Sequence, residues 1–177
     1  MRHKKVIAIL LLLAVCTVVT NAQLRHVQGV DLIGISSGIA PSEKGSTHIF
    51  GLNYSRYLRK NWILNLSGLY DSGTIQSIHI KYCLFNGGID YTAFQFGDFL
   101  YCNVGLSMLA GQESLRALES SEKKNSFVSG PSGNLNIEWY FSNRIVMQAK
   151  AEQNYLSGSK LSNWYFAWHL SLKYCLF

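Results

Sequence analysis

The fold is decided by the last fourteen residues, Trp164-Tyr165-Phe166-Ala167-Trp168-His169-Leu170-Ser171-Leu172-Lys173-Tyr174-Cys175-Leu176-Phe177. In steps of two, one set of these side chains is large and apolar, and the other is mostly small or polar. This period indicates a β-strand with one apolar face, because successive side chains of a strand point to opposite sides. Repeated bulky aromatics on that face are typical of outer-membrane barrels, whose outward row must contact lipid.

The same alternation recurs along the chain and predicts strands at about 29–39, 47–58, 61–71, 78–96, 99–112, 127–141, 144–157 and 162–176. Tight connections lie near Arg59-Lys60, Gly97-Asp98 and Ser142-Asn143. Mostly longer, polar connections lie at 41–46, 72–77, 113–126 and 158–160. Short turns at the end that holds both termini, with longer loops opposite, are the layout of an even-stranded outer-membrane barrel. The pattern predicts an all-β fold, a single eight-stranded antiparallel up-and-down transmembrane β-barrel preceded by a signal peptide.

The chain begins with the features of a secretory signal. Met1-Arg2-His3-Lys4-Lys5 is basic, an apolar run follows, and Thr20-Asn21-Ala22 offers small residues for cleavage. We therefore expect a cleaved signal peptide at 1–22, a barrel domain at 23–177, and localisation in the outer membrane of a Gram-negative cell. A lipoprotein acylation site at Cys16 is the alternative, although Val15 is a poor fit before such a cysteine.

Charge and hydropathy exclude two other classes of protein. The formal net charge is +6, but three basic residues leave with the signal and the rest are scattered. We therefore expect no direct nucleic-acid binding. No apolar run after residue 22 approaches the roughly 18 residues of a spanning helix. Membrane insertion would therefore require a closed barrel.

The fourth predicted strand interrupts the alternation. Its apolar residues occupy one row over 78–84 and the opposite row over 85–91. Asn86-Gly87-Gly88 is also a hairpin signal. A hairpin there would give nine strands and place the termini at opposite ends. Parity therefore favours a bulge or a glycine kink inside one long strand, with the hairpin left open as the alternative.

With the apolar rows facing lipid, five ionisable side chains point inward from three consecutive strands: Glu138, Lys150, Glu152, His169 and Lys173. The lumen of an eight-stranded barrel is only wide enough for side chains to fill. Buried charges must pair, because an isolated charge in such a space is costly. The sequence therefore predicts a polar network in the lumen, and a proton or ion path is the alternative.

Few residues suggest other chemistry. His169-Leu170-Ser171 could be half of a Ser-His esterase, but the pair faces away from the lipid row, so we do not expect an enzyme. The histidines are scattered and no phosphate-binding glycine loop is present, so no catalytic, cofactor or metal site is predicted. Cys83, Cys102 and Cys175 suit small strand positions, and a disulfide between two of them stays possible. The longest loop, 113–126, is the best candidate surface for a partner.

One segment resembles a known family. It runs Phe127-Val128-Ser129-Gly130-Pro131-Ser132-Gly133-Asn134-Leu135-Asn136-Ile137-Glu138, followed by Tyr140-Phe141-Ser142-Asn143-Arg144-Ile145-Val146. The segment is similar to the conjugal transfer protein TraO family, encoded on conjugative transposons of Bacteroides-type bacteria. The resemblance implies an outer-membrane barrel component of a conjugative, type IV secretion-like DNA transfer apparatus. Its partners would be outer-membrane lipid and other proteins of that apparatus, and no catalytic residues are implied.

The chain departs from the family at its last residue. The family's terminal aromatic belongs to the outward row, whereas Phe177 is out of phase and Leu176 ends that row. Either Phe177 lies one residue past the strand, or a bulge restores the phase. Two other functions stay open. One is a general porin-like or adhesin-like barrel that binds partners through its loops. The other is a soluble lipocalin-like barrel with its apolar rows around a ligand.

Overall fold

The computed structural model describes residues 27–42, 45–75, 78–117 and 123–176. These residues form eight antiparallel strands: β1 (Asp31–Ser42), β2 (Gly45–Arg59), β3 (Trp62–Ile75), β4 (Ile78–Phe96), β5 (Leu100–Ala117), β6 (Lys123–Tyr140), β7 (Ile145–Tyr155) and β8 (Trp164–Leu176). The predicted signal peptide, 1–22, lies outside the described residues. Among the described residues, no helix is long and apolar enough to cross a membrane.

The strands pair in chain order, and β8 closes the barrel against β1. This last ladder runs without a break from Asp31 opposite Leu176 to Ile39 opposite Trp168. Closure gives every strand a neighbour on both sides, which satisfies the backbone polar groups that an open edge would leave unpaired. The predicted eight-stranded up-and-down barrel is therefore confirmed. The described part of β8 runs to Leu176 without a bulge, and Phe177 lies outside the described residues.

The two ends of the barrel differ. The inner end carries both strand termini, Asp31 and Leu176, and the short turns that follow β2, β4 and β6. The outer end carries the connections that follow β1, β3, β5 and β7. Five strands, β1, β2, β3, β5 and β6, run further towards this outer end than the sequence predicted, whereas β7 and β8 are two residues shorter there. In particular, β5 and β6 pair up to Arg116 opposite Lys123, so 113–117 and 123–126 of the expected long loop at 113–126 belong to strands, and 118–122 lie outside the described residues.

The fourth strand is continuous, as an even number of strands favoured. The prediction of a bulge or kink at 86–88 is wrong. The pairing of β4 with β3 runs unbroken from Ile78 to Tyr91, and the register shifts only between Thr92 and Phe94, against β5. The exchange of apolar rows has another cause. Ile80, Tyr82 and Leu84 are buried inside the barrel, whereas the apolar side chains at 85, 89 and 91 are exposed outside it.

A band of exposed apolar side chains surrounds the barrel. Members on every strand include Ile33, Ile35, Phe50, Leu52, Trp62, Phe85, Ile89, Val104, Leu106, Met108, Leu135, Ile137, Ile145, Trp168, Leu170 and Leu172. Paired aromatics lie towards the two ends of the band, Trp62 with Tyr91 and Tyr155 with Trp164, with ring centroids 5.0 and 5.4 Å apart. An apolar band between aromatic girdles matches a hydrocarbon layer and its two interfaces. The soluble lipocalin-like alternative, which required these rows to face inward, is wrong.

The band predicts a depth-dependent response to charge. Leu106 lies midway along the outward apolar row of β5, and Gln112 lies in the same row towards the outer end. We expect Leu106→Arg to reduce the free energy of unfolding by about 2–4 kcal/mol, and Gln112→Arg by about 0–1 kcal/mol. Urea titration of the protein folded into phospholipid vesicles measures both values. Equal effects of the two substitutions would contradict the assignment of the band.

Candidate functional site

The inward rows divide the lumen into three layers. The outer plug is a buried apolar cluster: Ala40, Ile49, Leu69, Ile75, Ile80, Tyr82, Leu84, Leu109, Val128, Leu156 and Ala167. The inner plug is a second one: Leu32, Tyr57, Ile63, Tyr101, Tyr140, Val146 and Cys175. The middle layer between them is buried and polar: Ser55, Asn86, Asp90, Asn103, Asn134, Asn136, Glu138, Gln148, Lys150, Glu152, His169 and Lys173, of which Lys150 is partly exposed. The five residues that the sequence singled out all lie in this middle layer.

Glu138 and Lys173 form the first charge pair of the middle layer. The Lys173 Nζ lies 3.3 Å from Glu138 Oε1 and donates to Ser55 Oγ at 2.9 Å. Both side chains are about 2% exposed or less. Glu138 also accepts hydrogen bonds from the Tyr57 hydroxyl at 2.9 Å and the Gln148 amide at 3.3 Å. The buried carboxylate is therefore surrounded by donors, as its removal from water requires.

A second carboxylate, that of Glu152, contacts two basic residues. Glu152 forms an ion pair with Lys150, and its Oε2 lies 3.1 Å from His169 Nε2. The Asn86 amide donates to the same carboxylate at 3.4 Å. Both Glu152 and His169 are almost completely buried. Glu152 thus contacts both basic side chains of this cluster, which is the arrangement of an internal polar network.

Sequence reasoning missed a third cluster, which is centred on Asp90. Its carboxylate accepts hydrogen bonds from the side-chain amides of Asn134 at 3.1 Å and Asn136 at 2.7 Å. Asn136 in turn accepts from Asn103, at 2.8 Å. The signal was available, because Asp90 shares the inward row of β4 with Asn86. Asp90 also alternates with the apolar outward residues Ile89 and Tyr91, so its inward position follows from the sequence pattern.

The Asp90 carboxylate has room only because residue 105 is glycine. A Cβ atom built on Gly105 would lie 1.8 Å from Asp90 Oδ1 and 2.6 Å from Asn134 Nδ2, too close for any side chain. Gly133, on the neighbouring strand, has nothing within 4 Å of such an atom. Of the two glycines, only Gly105 is therefore required by packing.

A fourth buried carboxylate, Glu113, lies towards the outer end and was expected in a solvated loop. It is instead fully buried in the inward row of β5. It accepts hydrogen bonds from the hydroxyls of Tyr82 at 2.9 Å, Ser126 at 2.7 Å and Ser159 at 2.8 Å, and from the Lys160 backbone N–H at 2.9 Å. Two of these donors belong to the connection between β7 and β8. Glu113 therefore fastens that connection over the mouth of the barrel.

The middle layer of the lumen holds little free space. The cavity beside the two charge pairs has a volume of about 20 Å³, lined by side chains that include Lys150, Glu152, His169 and Lys173. This is room for roughly one water molecule. Apolar plugs lie on either side of the middle layer. The middle layer is thus a packed core.

Within the described part of the chain, the residues considered for catalysis, metal binding and a disulfide do not form such sites. His169 and Ser171 both lie in the inward row of β8, where His169 contacts Glu152 and Ser171 accepts a hydrogen bond from Asn53 at 3.4 Å. No group of three or more His, Cys, Asp or Glu side chains in the described ranges could hold a metal ion. The three cysteines of the described chain, Cys83, Cys102 and Cys175, are all free, so the disulfide that the sequence permitted is not formed.

Comparisons with known proteins agree with this architecture. The family model of the conjugative transposon protein TraO matches residues 24–176. The N-terminal β-barrel domain of Pseudomonas aeruginosa OprF matches with a TM-score of 0.62 at 13% identity, over 84% of this chain and 98% of the domain. Neisserial surface protein A (NspA) matches with a TM-score of 0.61 at 13% identity, over 83% of this chain and 95% of that one.

A third solved structure, Ail, the attachment invasion locus protein of Yersinia pestis, matches with a TM-score of 0.58 at 15% identity, over 84% of this chain and 99% of that one. The comparison with curated proteins finds no match. At such low identities the structural likeness establishes the fold alone, and the fold is that of outer-membrane β-barrels.

The Glu138–Lys173 pair predicts strongly non-additive stability changes. We expect Lys173→Met to reduce the free energy of unfolding by about 3–5 kcal/mol, because it leaves a buried carboxylate without its cation. The double variant Lys173→Met/Glu138→Gln should lose much less, since no buried charge remains and the glutamine still accepts from Tyr57. Urea midpoints in vesicles measure the cycle. A double variant that loses the sum of the two single losses would contradict the pairing.

The glycines provide a matched pair of substitutions. We expect Gly105→Ala to reduce the free energy of unfolding by about 1–3 kcal/mol, because its Cβ displaces the Asp90 carboxylate. Gly133→Ala should change it by less than about 1 kcal/mol, because the added methyl enters open space. The same urea titrations give both values. Similar losses at the two positions would be incompatible with the role assigned to Gly105.

Proposed function

The chain belongs to the TraO family of conjugative transposon proteins, and from this premise we propose that it is a structural outer-membrane component of a conjugative DNA transfer apparatus. The apparatus would be of the type IV secretion-like kind. Two findings support the proposal. The family match extends over residues 24–176, nearly the whole of the barrel domain. The fold is an outer-membrane-type barrel with a continuous outward apolar band.

The packed lumen is the observation that carries the structural role. Two apolar plugs enclose a middle layer whose charges contact one another, around a cavity of about 20 Å³. A barrel of eight strands is also too narrow to carry DNA. The protein would therefore act through its exterior, by contacting membrane lipid and other proteins of the apparatus. Neither direct binding of nucleic acid nor catalysis is part of this proposal.

A general porin-like or adhesin-like barrel has less support. A porin requires an open lumen, whereas the described middle layer is filled with paired side chains. The attachment role named for Ail rests on a protein that is 15% identical, and such a likeness extends to the fold only. The family match therefore favours the transfer role over both.

Deletion of the gene from its transposon tests the proposal. We expect the frequency of transfer to a recipient strain to fall, because the apparatus would lack one of its outer-membrane components. Expression of the intact gene in trans should restore transfer, and expression of an unrelated eight-stranded barrel should not. An unchanged transfer frequency after deletion would refute the proposed role.

Fractionation of the same strains tests the membrane location of the protein separately from its role in transfer. Membrane placement predicts that the protein stays in the membrane fraction after salt and alkaline washes and is extracted only by detergent. A protein released without detergent would refute the placement, whatever happens to transfer.

A further inference from the structure

On β2 to β6 the outward row turns polar beyond the apolar band at the outer end. The change occurs between neighbouring outward residues: Phe50 to His48 on β2, Tyr70 to Ser72 on β3, Cys83 to Lys81 on β4, Ala110 to Gln112 on β5, and Phe127 to Asn125 on β6. Neighbours in one row of a strand are about 7 Å apart along the strand. The first polar residues therefore lie directly beyond the hydrocarbon layer, at the depth of lipid headgroups.

Three basic side chains gather on this polar surface of β4 and β5. Strand pairing places His79 directly opposite Arg116, and Lys81 opposite Ser114. Directly opposite residues have Cβ atoms about 5 Å apart and diagonal ones about 7–8 Å apart, so one phosphate group can reach more than one of the three. All three side chains are exposed. We call His79, Lys81 and Arg116 the basic rim.

The acidic residues of the described chain lie elsewhere. Five are buried within the inward rows, Asp71, Asp90, Glu113, Glu138 and Glu152. The other two, Asp31 and Asp98, lie at the inner end. Glu43, Glu119 and Glu122 are outside the described residues. The described outward surface at the outer end therefore carries only basic charge.

We propose that the basic rim binds the phosphate groups of lipids in the surrounding outer leaflet, which rests on the membrane placement proposed above. The position of the rim on the barrel wall favours a lipid as its partner. The rim faces sideways from the barrel wall, one step beyond residues that contact hydrocarbon, so a lipid packed against Phe85 brings its own headgroup to Lys81. Lysine and arginine are the side chains that bind phosphate by charge-assisted hydrogen bonds. Ser114 and Gln112, in the same outward row as Arg116, add polar groups for the rest of a headgroup.

Binding of lipid A to the purified barrel tests the proposal. The full-length protein in nonionic detergent is titrated with diphosphorylated lipid A, and separately with the same lipid A after removal of its phosphates. We expect tighter binding of the phosphorylated form, weakened by NaCl. Lys81→Gln/Arg116→Gln should weaken it roughly tenfold, because two cations at the lipid surface are lost.

A matched control removes the same charge from the same end of the barrel. Lys124, in the inward row of β6, and Lys160, in the connection between β7 and β8, are exposed but do not belong to the outward face. Lys124→Gln/Lys160→Gln should change the affinity by less than about twofold. Retention of the heat-dependent shift in electrophoretic mobility shows that each variant is folded.

Results of three kinds would overturn the proposal. The first is equal affinity for the phosphorylated and dephosphorylated lipids. The second is a rim variant that binds as wild type does, or a control variant that loses as much as the rim variant. The third is stronger binding of a DNA oligonucleotide that depends on Lys81 and Arg116, which would assign the rim to nucleic acid. Because the assay uses purified protein, its failure leaves the transfer experiment unaffected.

Discussion

Closure of the barrel by pairing β8 with β1 is the constraint on which the rest of the structure depends. Once this ladder forms, every residue between Asp31 and Leu176 that belongs to a strand faces either the lumen or the exterior. The two sides impose opposite chemistry, because the exterior meets hydrocarbon and the interior must satisfy its own polar groups. A shift of one residue in the last ladder would exchange His169 and Lys173 with Trp168 and Leu172, so register and chemistry reinforce each other.

The narrow lumen explains why the interior is arranged in layers. Eight strands leave space for side chains only, so each inward residue must pack against those of other strands. The apolar plugs exclude water at both ends, and this raises the cost of any unpaired charge between them. Consequently each carboxylate of the middle layer has its own donors: Lys173 and Tyr57 at Glu138, His169 and Lys150 at Glu152, two asparagines at Asp90. The interior thereby specifies one register, and its middle layer is filled with paired side chains.

The alternation of apolar and polar residues predicted most of this architecture, because one face of each strand contacts lipid and the sequence therefore has a period of two. The fourth strand shows where such reasoning fails. Apolar residues at 78–84 look continuous with a lipid-facing row, yet they fill the outer plug, because β4 extends beyond the band. Glu113 was misplaced for the same reason, since a sequence rich in Ser, Lys and Glu signals a loop when its strand partners are unknown. Asp90 was missed although it alternates with Ile89 and Tyr91, which face outward.

The inward side chains are used to pack the lumen. The features that distinguish this barrel from others of its fold must therefore lie on its outward surface. The two ends of this outward surface differ in charge. Arg56 at the inner end lies beside Asp31, with Nε 3.7 Å from Oδ1, so basic and acidic groups are mixed there. At the outer end, among the described residues, Lys81 and Arg116 have no acidic neighbour in the outward rows. The acidic residues that could have balanced them, such as Glu113, are used inside the barrel to hold its strands and its outer connection. The described carboxylates of the outer end are thus held in the lumen, whereas cations occur both there, as Lys150 and Lys173, and on the rim. Carboxylates suit a lumen rich in Asn, Ser, Tyr and Lys donors, and cations suit the level of lipid phosphates.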